Sequence, residues 1–262
     1  MTETAEPLVK LQRLPGHVAV ATLNRPEARN AVNAGLAVAL EAIVDETEND
    51  PDVWAVVLTG SGSGVFCAGA DLKEVAAGRG LELFRPRGGF AGFVDAERSK
   101  PWIAAVNGKA LAGGFEIVLA CDLVVAATSA AFGLPEVTRG LIAAAGGLTR
   151  LPRALPRALA LEIVMTGDPM SVERAQQHGL VNRVVAEDRV VEEAVALAQR
   201  IARNAPLAVR ESLQLARQAC ELDEAQARAL SKAARDRIAT TEDYKEGPRA
   251  FVEKRAARWQ GR

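Results

Sequence analysis

The sequence is short of cysteine and histidine, and this shortage excludes two classes of protein. Among its 262 residues there are only three cysteines, Cys67, Cys121 and Cys220, and none of them lies in a Cys-x-x-Cys pair. Three cysteines cannot form the disulfide framework of a small secreted domain. With only His17 and His178 beside them, the cysteines also provide too few ligands at suitable spacing for a zinc site. We therefore expect reduced thiols, no metal and a cytoplasmic location.

The sequence also has no excess of either charge and no long apolar run. It contains 32 Lys and Arg against 33 Asp and Glu, a formal net charge of −1, so we expect no basic face for nucleic acid. No apolar run reaches the ~18 residues of a membrane span. The acidic and polar residues 1–7 do not resemble a secretory signal or a transit peptide. The sequence thus predicts a soluble globular protein that binds neither nucleic acid nor membranes.

Short apolar runs alternate with helical patterns in the first half of the chain. Segments 53–59, 102–106 and 123–127 are almost wholly apolar, as expected for strands of a parallel sheet that are buried on both faces. Segments 8–14 and 17–23, joined by a Pro-Gly turn, predict a hairpin. The order of strands and helices predicts an α/β fold with right-handed crossovers.

The last third of the chain is predicted to be helical, with one short strand at 180–185. Gly247 is expected to cap the last helix and Pro248 to occupy its first position. A glycine-rich segment at 77–99 is read as a flexible loop leading into a short helix and facing substrate, with an ordinary surface loop as the alternative. The predicted helices are 33–49, 152–165, 171–178, 190–204, 208–220, 224–240 and 248–259.

Two turns of small residues precede predicted helices. Gly113 follows the apolar run 102–106 and opens a helical run, so its backbone N–H can approach a ligand without a Cβ in the way. Unsatisfied donors at a helix start suit an oxyanion hole. Ala70 lies in a second such turn after the strand 53–59, and Asp71 is expected to cap the helix that follows. Each turn alone is better explained as a close-packed helix start of no catalytic role, whereas two such turns after neighbouring strands favour the oxyanion hole.

Two glutamates follow these turns at positions where they could transfer protons. Taken separately, Glu116 and Glu136 are typical first-turn residues that complement a helix dipole. Together, beside an oxyanion hole, they suit proton transfer at the carbons alpha and beta to a carbonyl. If the two carboxylates share one water, their charges repel and one of them keeps its proton near neutral pH.

Four segments together resemble the crotonase (enoyl-CoA hydratase/isomerase) superfamily, and the resemblance covers nearly the whole chain. It implies a crotonase-like α/β fold of repeated ββα units around a spiral core, with a helical C-terminal region. The implied division is a core domain of residues 1–198 that holds the site and a region of residues 199–262 for oligomerisation and cover of the CoA site. The segments are NRPEARNA (24–31), FCAGADLK (66–73), NGKALAGGFEI (107–117) and FGLPE (132–136).

The resemblance also implies a role for individual residues. The Ala70 and Gly113 amides would hold the enolate oxygen of an acyl-CoA thioester, and Glu116 and Glu136 would add water across its 2,3-double bond. Coenzyme A is then part of the substrate, no separate cofactor is expected, and the protein is expected to form a homotrimer or a dimer of trimers. The implied CoA and substrate contacts are Ala28, Ala68, Asp71, Leu72, Lys73 and Lys254.

A narrower resemblance is to the carnitinyl-CoA dehydratases, and it is most specific in the loop 88–93. It makes crotonobetainyl-CoA a candidate substrate. Two departures from the superfamily pattern lie near the site: Ala112 stands where a glycine is usual, and 143–147 reads AAAGG. The alternatives are an enoyl-CoA isomerase or an acyl-CoA thioesterase on the same scaffold, or a CoA-binding or RNA-binding relative without catalysis.

Overall fold

The computed structural model describes residues 6–262, and twelve short strands occur in this part of the chain. In chain order the strands are β1 (Val9–Leu14), β2 (Val18–Leu23), β3 (Ala55–Gly60), β4 (Gly64–Cys67), β5 (Phe84–Arg85), β6 (Gly89–Phe90), β7 (Trp102–Val106), β8 (Gly108–Leu111), β9 (Leu123–Ala127), β10 (Ala131–Gly133), β11 (Met170–Ser171) and β12 (Arg183–Val185).

Helices surround these strands and dominate the C-terminal part of the chain. Short 3-10 helices also occur, of which Pro135–Arg139 matters for the site. The α-helices are α1 (Ala34–Asn49), α2 (Leu72–Ala76), α3 (Gly113–Ala120), α4 (Gly147–Ala154), α5 (Arg157–Thr166), α6 (Val172–Gln177), α7 (Val190–Ala202), α8 (Pro206–Gln218), α9 (Glu224–Ile238) and α10 (Glu242–Val252).

A six-stranded sheet forms the larger layer, in the order β1-β2-β3-β7-β9-β12. Its first pair is the predicted antiparallel hairpin, and the other neighbours pair in parallel. All residues of β3 and β7 are buried, as expected for central strands covered on both faces. Helix α7 spans the expected boundary at 198/199 and packs against β3, β7 and β9.

A second sheet, in the order β11-β10-β8-β4, explains the architecture. Three times the chain leaves a strand of the large sheet and immediately forms a strand of the small one: β3 leads to β4, β7 to β8 and β9 to β10. Each small-sheet strand is then followed by a helical turn: α2, α3 and the 3-10 helix Pro135–Arg139. This is the repeated ββα unit that the resemblance implied. Because β4, β8 and β10 are parallel neighbours, the three helical starts lie at one edge of the small sheet.

Side-chain caps fix the beginnings of several helices. The side chain of Asn33 accepts a hydrogen bond from the Leu36 N–H at the start of α1. Asp71 caps α2, as predicted, by accepting from the Lys73 N–H. Each cap satisfies a backbone donor that the helix itself cannot pair.

Two helix predictions were wrong. The predicted helix 152–165 is interrupted, because Pro156 forces the preceding Leu155 into an extended conformation. The predicted helix 248–259 lies too far along the chain: the helix is α10, its N-cap is Thr241, and Pro248 lies inside it. Residues beyond 252 fold back as a tail instead.

The glycine-rich segment 77–99 is more regular than predicted. It contains a 3-10 helix, Gly80–Leu83, followed by the hairpin of β5 and β6. No helix of residues 6–262 is long and apolar enough to cross a membrane.

Candidate active site

A cavity of about 1200 Å³ opens at the edge of the small sheet where β4, β8 and β10 end. Ala70, Gly113, Glu116 and Glu136 all line it. Carboxyl ends of adjacent parallel strands meet at one edge of a sheet, which is why four residues spread over 67 positions lie around one space.

The first turn, which carries Ala70, is held by pairing with the segment 29–32. The pairing leaves the Ala70 N–H without a hydrogen-bond acceptor among residues 6–262, while the amides before and after it are engaged. Its bonds run from Ala68 N to Arg29 O (3.1 Å), from Val32 N to Gly69 O (2.8 Å) and from Asp71 N to Val32 O (2.9 Å).

The second turn begins α3 and depends on two glycines. A Cβ at Gly113 would overlap the ring of Phe90, and a Cβ at Gly114 would overlap the carbonyl of Cys67. Ala112, in contrast, is not glycine although its φ of 50° lies in the region that glycine favours. Within residues 6–262 the Gly113 N–H has no acceptor, as expected for the first residue of a helix.

The two turns lie against one another. A Cβ built on Gly69 would be 2.8 Å from the Gly113 nitrogen and 2.8 Å from the Cβ of Ala112. Only glycine at 69 therefore allows this approach, and its own φ of 91° also requires glycine. Two amides without acceptors among residues 6–262 are thus brought to neighbouring positions on the cavity wall.

Glu116 is a buried carboxyl on the first turn of α3, with 3% of its surface exposed. Burial, with a smaller contribution from the charge of Glu136, raises its pKa to about 7. The Gly147 N–H donates to Oε1 of Glu116 at 2.8 Å and opposes part of this rise. A carboxyl with a pKa near neutrality can both accept and donate a proton at physiological pH.

Glu136 lies on the 3-10 helix that follows β10 and is 9% exposed. Burial raises its pKa, while the nearby positive charge of Arg139 opposes the rise. Its Oε2 is buried and has no hydrogen-bond partner among residues 6–262. A buried carboxyl oxygen without a partner favours the protonated, neutral form of the group, which is the form that can donate a proton.

The residues expected to contact CoA line one side of the same cavity. Arg25 donates to Asp71 at 3.2 Å, so this pair ties the first turn to the segment before 3-10 helix Pro26–Ala28. The cavity-lining members of the expected set are Ala28, Ala68, Asp71, Leu72 and Lys73.

Lys254 is the one expected CoA contact that does not line this cavity. It follows α10 with a φ of 53° and is exposed.

Phe93, an aromatic of the loop expected to face substrate, lies outside the cavity as well. It is fully buried against Trp102, and the guanidinium of Arg98 covers its ring at 3.8 Å.

Two contributors to the site were not predicted. Gly147 supplies the amide that holds Glu116, and Arg139 lines the cavity near Glu136. Arg139 follows Glu136 by three positions on a 3-10 helix, where side chains three positions apart lie on the same face. This spacing could have predicted from the sequence that Arg139 lies near Glu136. Residues 6–262 contain no group of three His, Cys, Asp or Glu side chains that could hold a metal ion.

Comparison with known proteins decides the family. The model of the family described as enoyl-CoA hydratase/isomerase matches residues 13–262. The chain belongs to the enoyl-CoA hydratase/isomerase family. Within this family, the mevalonyl-coenzyme A hydratase of Aspergillus fumigatus is 42% identical over 93% of this chain and 92% of its own.

Further members of the family show the same extent of similarity. A carnitinyl-CoA dehydratase of Salmonella typhi is 40% identical over 94% of this chain and 96% of its own. The crystal structure of an enoyl-CoA hydratase from Mycobacterium tuberculosis H37Rv superposes with a TM-score of 0.93, at 41% identity, over 98% of this chain and 100% of that one. The fold is therefore the crotonase fold.

Proposed function

We propose that this family member is an enoyl-CoA hydratase that adds water reversibly across the 2,3-double bond of a 2-enoyl-CoA thioester. The observation that carries the proposal is the cavity that Glu116, Glu136 and the free amides of Ala70 and Gly113 line together. The names of the relatives, which are hydratases and a dehydratase, support the same reaction.

The chemistry follows from these groups. Glu116 takes a proton from water as the water oxygen bonds to the beta carbon, and the double-bond electrons move toward the thioester carbonyl. The Ala70 and Gly113 amides hold the resulting enolate oxygen, an interaction that is typically worth ~10²–10³ in rate per donor. Glu136 then gives its proton to the alpha carbon. Dehydration is the reverse, and neither direction needs a cofactor.

The pair must carry one proton between its two carboxyls for either direction to begin. Burial favours this state near neutral pH: it raises the pKa of Glu116 to about 7, with a smaller contribution from the charge of Glu136, and it raises the pKa of Glu136 above its ordinary value. Because the two groups interact, the titration belongs to the pair.

The test is the loss of the conjugated thioester absorbance of crotonyl-CoA, followed with the purified protein. Hydration is expected, with 3-hydroxybutyryl-CoA as product. Release of free CoA thiol instead would identify a thioesterase, and conversion only of a 3-enoyl-CoA would identify an isomerase. Absence of all three activities would leave a CoA-binding relative and contradict the proposal.

Crotonobetainyl-CoA is a second candidate substrate, and two observations bear on it. The rings of Phe84 and Phe90 line the cavity edge to face, 5.5 Å apart, and could meet a trimethylammonium group. Arg139 lines the same cavity and donates hydrogen bonds to Pro135 O and Thr138 Oγ1, and its positive charge would repel a cationic acyl group.

Replacing Arg139 tests this specificity. Arg139→Gln is expected to raise kcat/KM for crotonobetainyl-CoA over that for crotonyl-CoA by at least about fivefold, since like charges about 4 Å apart repel by about 1 kcal/mol even in water. Arg157→Gln, which removes an exposed charge outside the cavity lining, is the matched control. An unchanged ratio in Arg139→Gln would show that Arg139 has no part in the choice of substrate.

The location and assembly are also proposed. Cytoplasmic location is supported by Cys67, Cys121 and Cys220 being unpaired thiols. A homotrimer or a dimer of trimers is supported by the apolar side chains that α10 exposes, Phe251 at 84% and Val252 at 78%. In such an assembly Lys254 would reach the CoA of a neighbouring chain.

A further inference from the structure

Asn30 is a buried side chain that joins three backbone segments beside the cavity. Its side-chain amide donates to Ser61 O at 2.9 Å and to Phe66 O at 3.0 Å, and its Oδ1 accepts from Arg25 N at 3.0 Å. The residue is completely buried. It therefore connects the start of segment 25–32, the end of β3 and the strand β4 with hydrogen bonds that water cannot replace.

The backbone of Asn30 adds a further constraint. Its φ of 55° places it in the left-handed region, which asparagine adopts more readily than most residues with a side chain. Its carbonyl accepts from the Sγ–H of Cys67, the last residue of β4, at 3.1 Å. Both the conformation and the hydrogen bonds of this residue thus fix the segment 29–32 against β4.

The segment 29–32 is also the one that holds the first turn, which carries Ala70. The three hydrogen bonds between 29–32 and 68–71 use the N–H groups of Ala68, Val32 and Asp71, and the Gly69 N–H donates to Cys67 Sγ. The Ala70 N–H is thus left without an acceptor among residues 6–262. If segment 29–32 shifted, the turn that carries Ala70 would shift with it. Among residues 6–262, the one side chain that bonds an N–H group of residues 68–70 is Cys67, whose Sγ accepts from the Gly69 N–H.

We infer that Asn30 is a positioning residue for the reaction: its buried amide sets the segment 29–32, and through it the direction of the Ala70 N–H. Asn30 does not line the cavity and touches no substrate. The inference rests on the proposed hydratase function, in which the Ala70 amide holds the enolate oxygen. A donor displaced by about 1 Å can cost ~10²-fold in rate.

The test compares Asn30→Gly with the parent protein. Glycine adopts the same φ without strain but removes the side-chain hydrogen bonds. We expect kcat for crotonyl-CoA to fall at least ~10-fold with a smaller change in KM, because the lost interaction is one made in the transition state.

A spectroscopic readout separates positioning from loss of stability. The absorbance of bound cinnamoyl-CoA is expected to move to longer wavelength in the parent protein, since two amide donors polarise its carbonyl. In Asn30→Gly this shift is expected to shrink. The control is Lys100→Met, which removes a fully buried lysine bonded to Thr47 O and Asp50 O, outside the cavity lining. It is expected to lower stability while keeping both kcat and the shift.

Asn30→Asp provides a second variant of nearly the same shape. It keeps the acceptor for Arg25 N and loses the donors to Ser61 O and Phe66 O, so it carries the test if Asn30→Gly does not fold. A parent-like kcat and wavelength shift in a folded variant overturns the inference, and so does failure of both variants to fold. A parent protein that hydrates no enoyl-CoA refutes the proposed function itself, which is a different result.

Discussion

At the scale of single residues, the site places a carboxyl where the fold disfavours its charge. Glu116 is buried beside a second carboxyl and receives one backbone hydrogen bond, from Gly147. Its folded-state pKa is about 7 against an ordinary value of 4.5. Folding must therefore tolerate an ionised buried group at the pH at which the group is useful, as is common for catalytic residues.

An ionised Glu116 lowers the free energy of unfolding because the carboxylate is buried. Glu116→Gln is therefore expected to stabilise the protein, by an amount that depends on pH. Between pH 4.5 and 7 the folded state binds a proton that the unfolded state has lost, so stability falls as pH rises through this window and stays low above it. At pH 8 the variant is expected to unfold with a free energy higher by up to about 3 kcal/mol. At pH 5 the gain is expected to be below about 1 kcal/mol.

Urea denaturation at the two pH values measures this difference. Glu97→Gln, a change at an exposed glutamate, is the matched control and is expected to give no gain that depends on pH. An equal effect of Glu116→Gln at pH 5 and pH 8 would mean that burial does not raise the pKa of Glu116.

At the scale of elements, the strands of the large sheet and most of the helix starts could be predicted from the sequence, but the small sheet could not. The apolar strands β7 and β9 and the cap at Asp71 were expected and are present. β4 and β10 have only three or four residues, too few for a periodic pattern. Their pairing is set by contacts distant in sequence, and this pairing is what gathers the site.

The last helix shows a local signal overridden by tertiary contacts. Pro248 typically marks a helix start, yet α10 begins six positions earlier. Its early turns carry the buried carboxyls Asp243 and Glu246, which accept hydrogen bonds from the amides of Gln260 and Arg258 in the folded-back tail. These bonds fix the first half of α10 despite the proline inside it.

Ala112 provides a prediction about the turn before α3. With φ at 50° and ψ at −129°, the backbone of Ala112 is strained by about 1–3 kcal/mol. Ala112→Gly should remove this strain while adding unfolded-state entropy, for a net gain of about 1 kcal/mol in unfolding free energy.

Chemical denaturation compares Ala112→Gly with Ala110→Gly, a change in the adjacent strand β8, where no positive φ occurs. The second variant is expected to lose stability. A loss at both positions would show that the Ala112 conformation carries no strain in the folded protein.

At the scale of the whole molecule, a single chain does not explain why α10 exposes large apolar side chains. Phe251 and Val252 are 84% and 78% exposed, and the expected CoA contact Lys254 lies two positions after Val252. In the proposed trimer these side chains pack on a neighbouring chain, so assembly and CoA binding depend on the same segment.

Phe251→Ser is accordingly expected to weaken both the assembly of the trimer and the binding of CoA. Light scattering after size exclusion should show a smaller mass than that of the parent protein, and KM for crotonyl-CoA should rise more than kcat falls. Glu253→Gln, a polar change at the neighbouring exposed residue, is expected to leave both unchanged. A parent protein that is monomeric and fully active would contradict the proposed assembly.

The central claim is that three parallel strand ends bring two amides and two carboxyls around one enoyl thioester. The most direct measurement is kcat for hydration of crotonyl-CoA by Glu116→Gln and by Glu136→Gln, each compared with the parent protein. Each variant is expected to lose at least ~10²-fold, the lower range for a positioned acid or base, while remaining folded. Full activity in either variant would contradict the account.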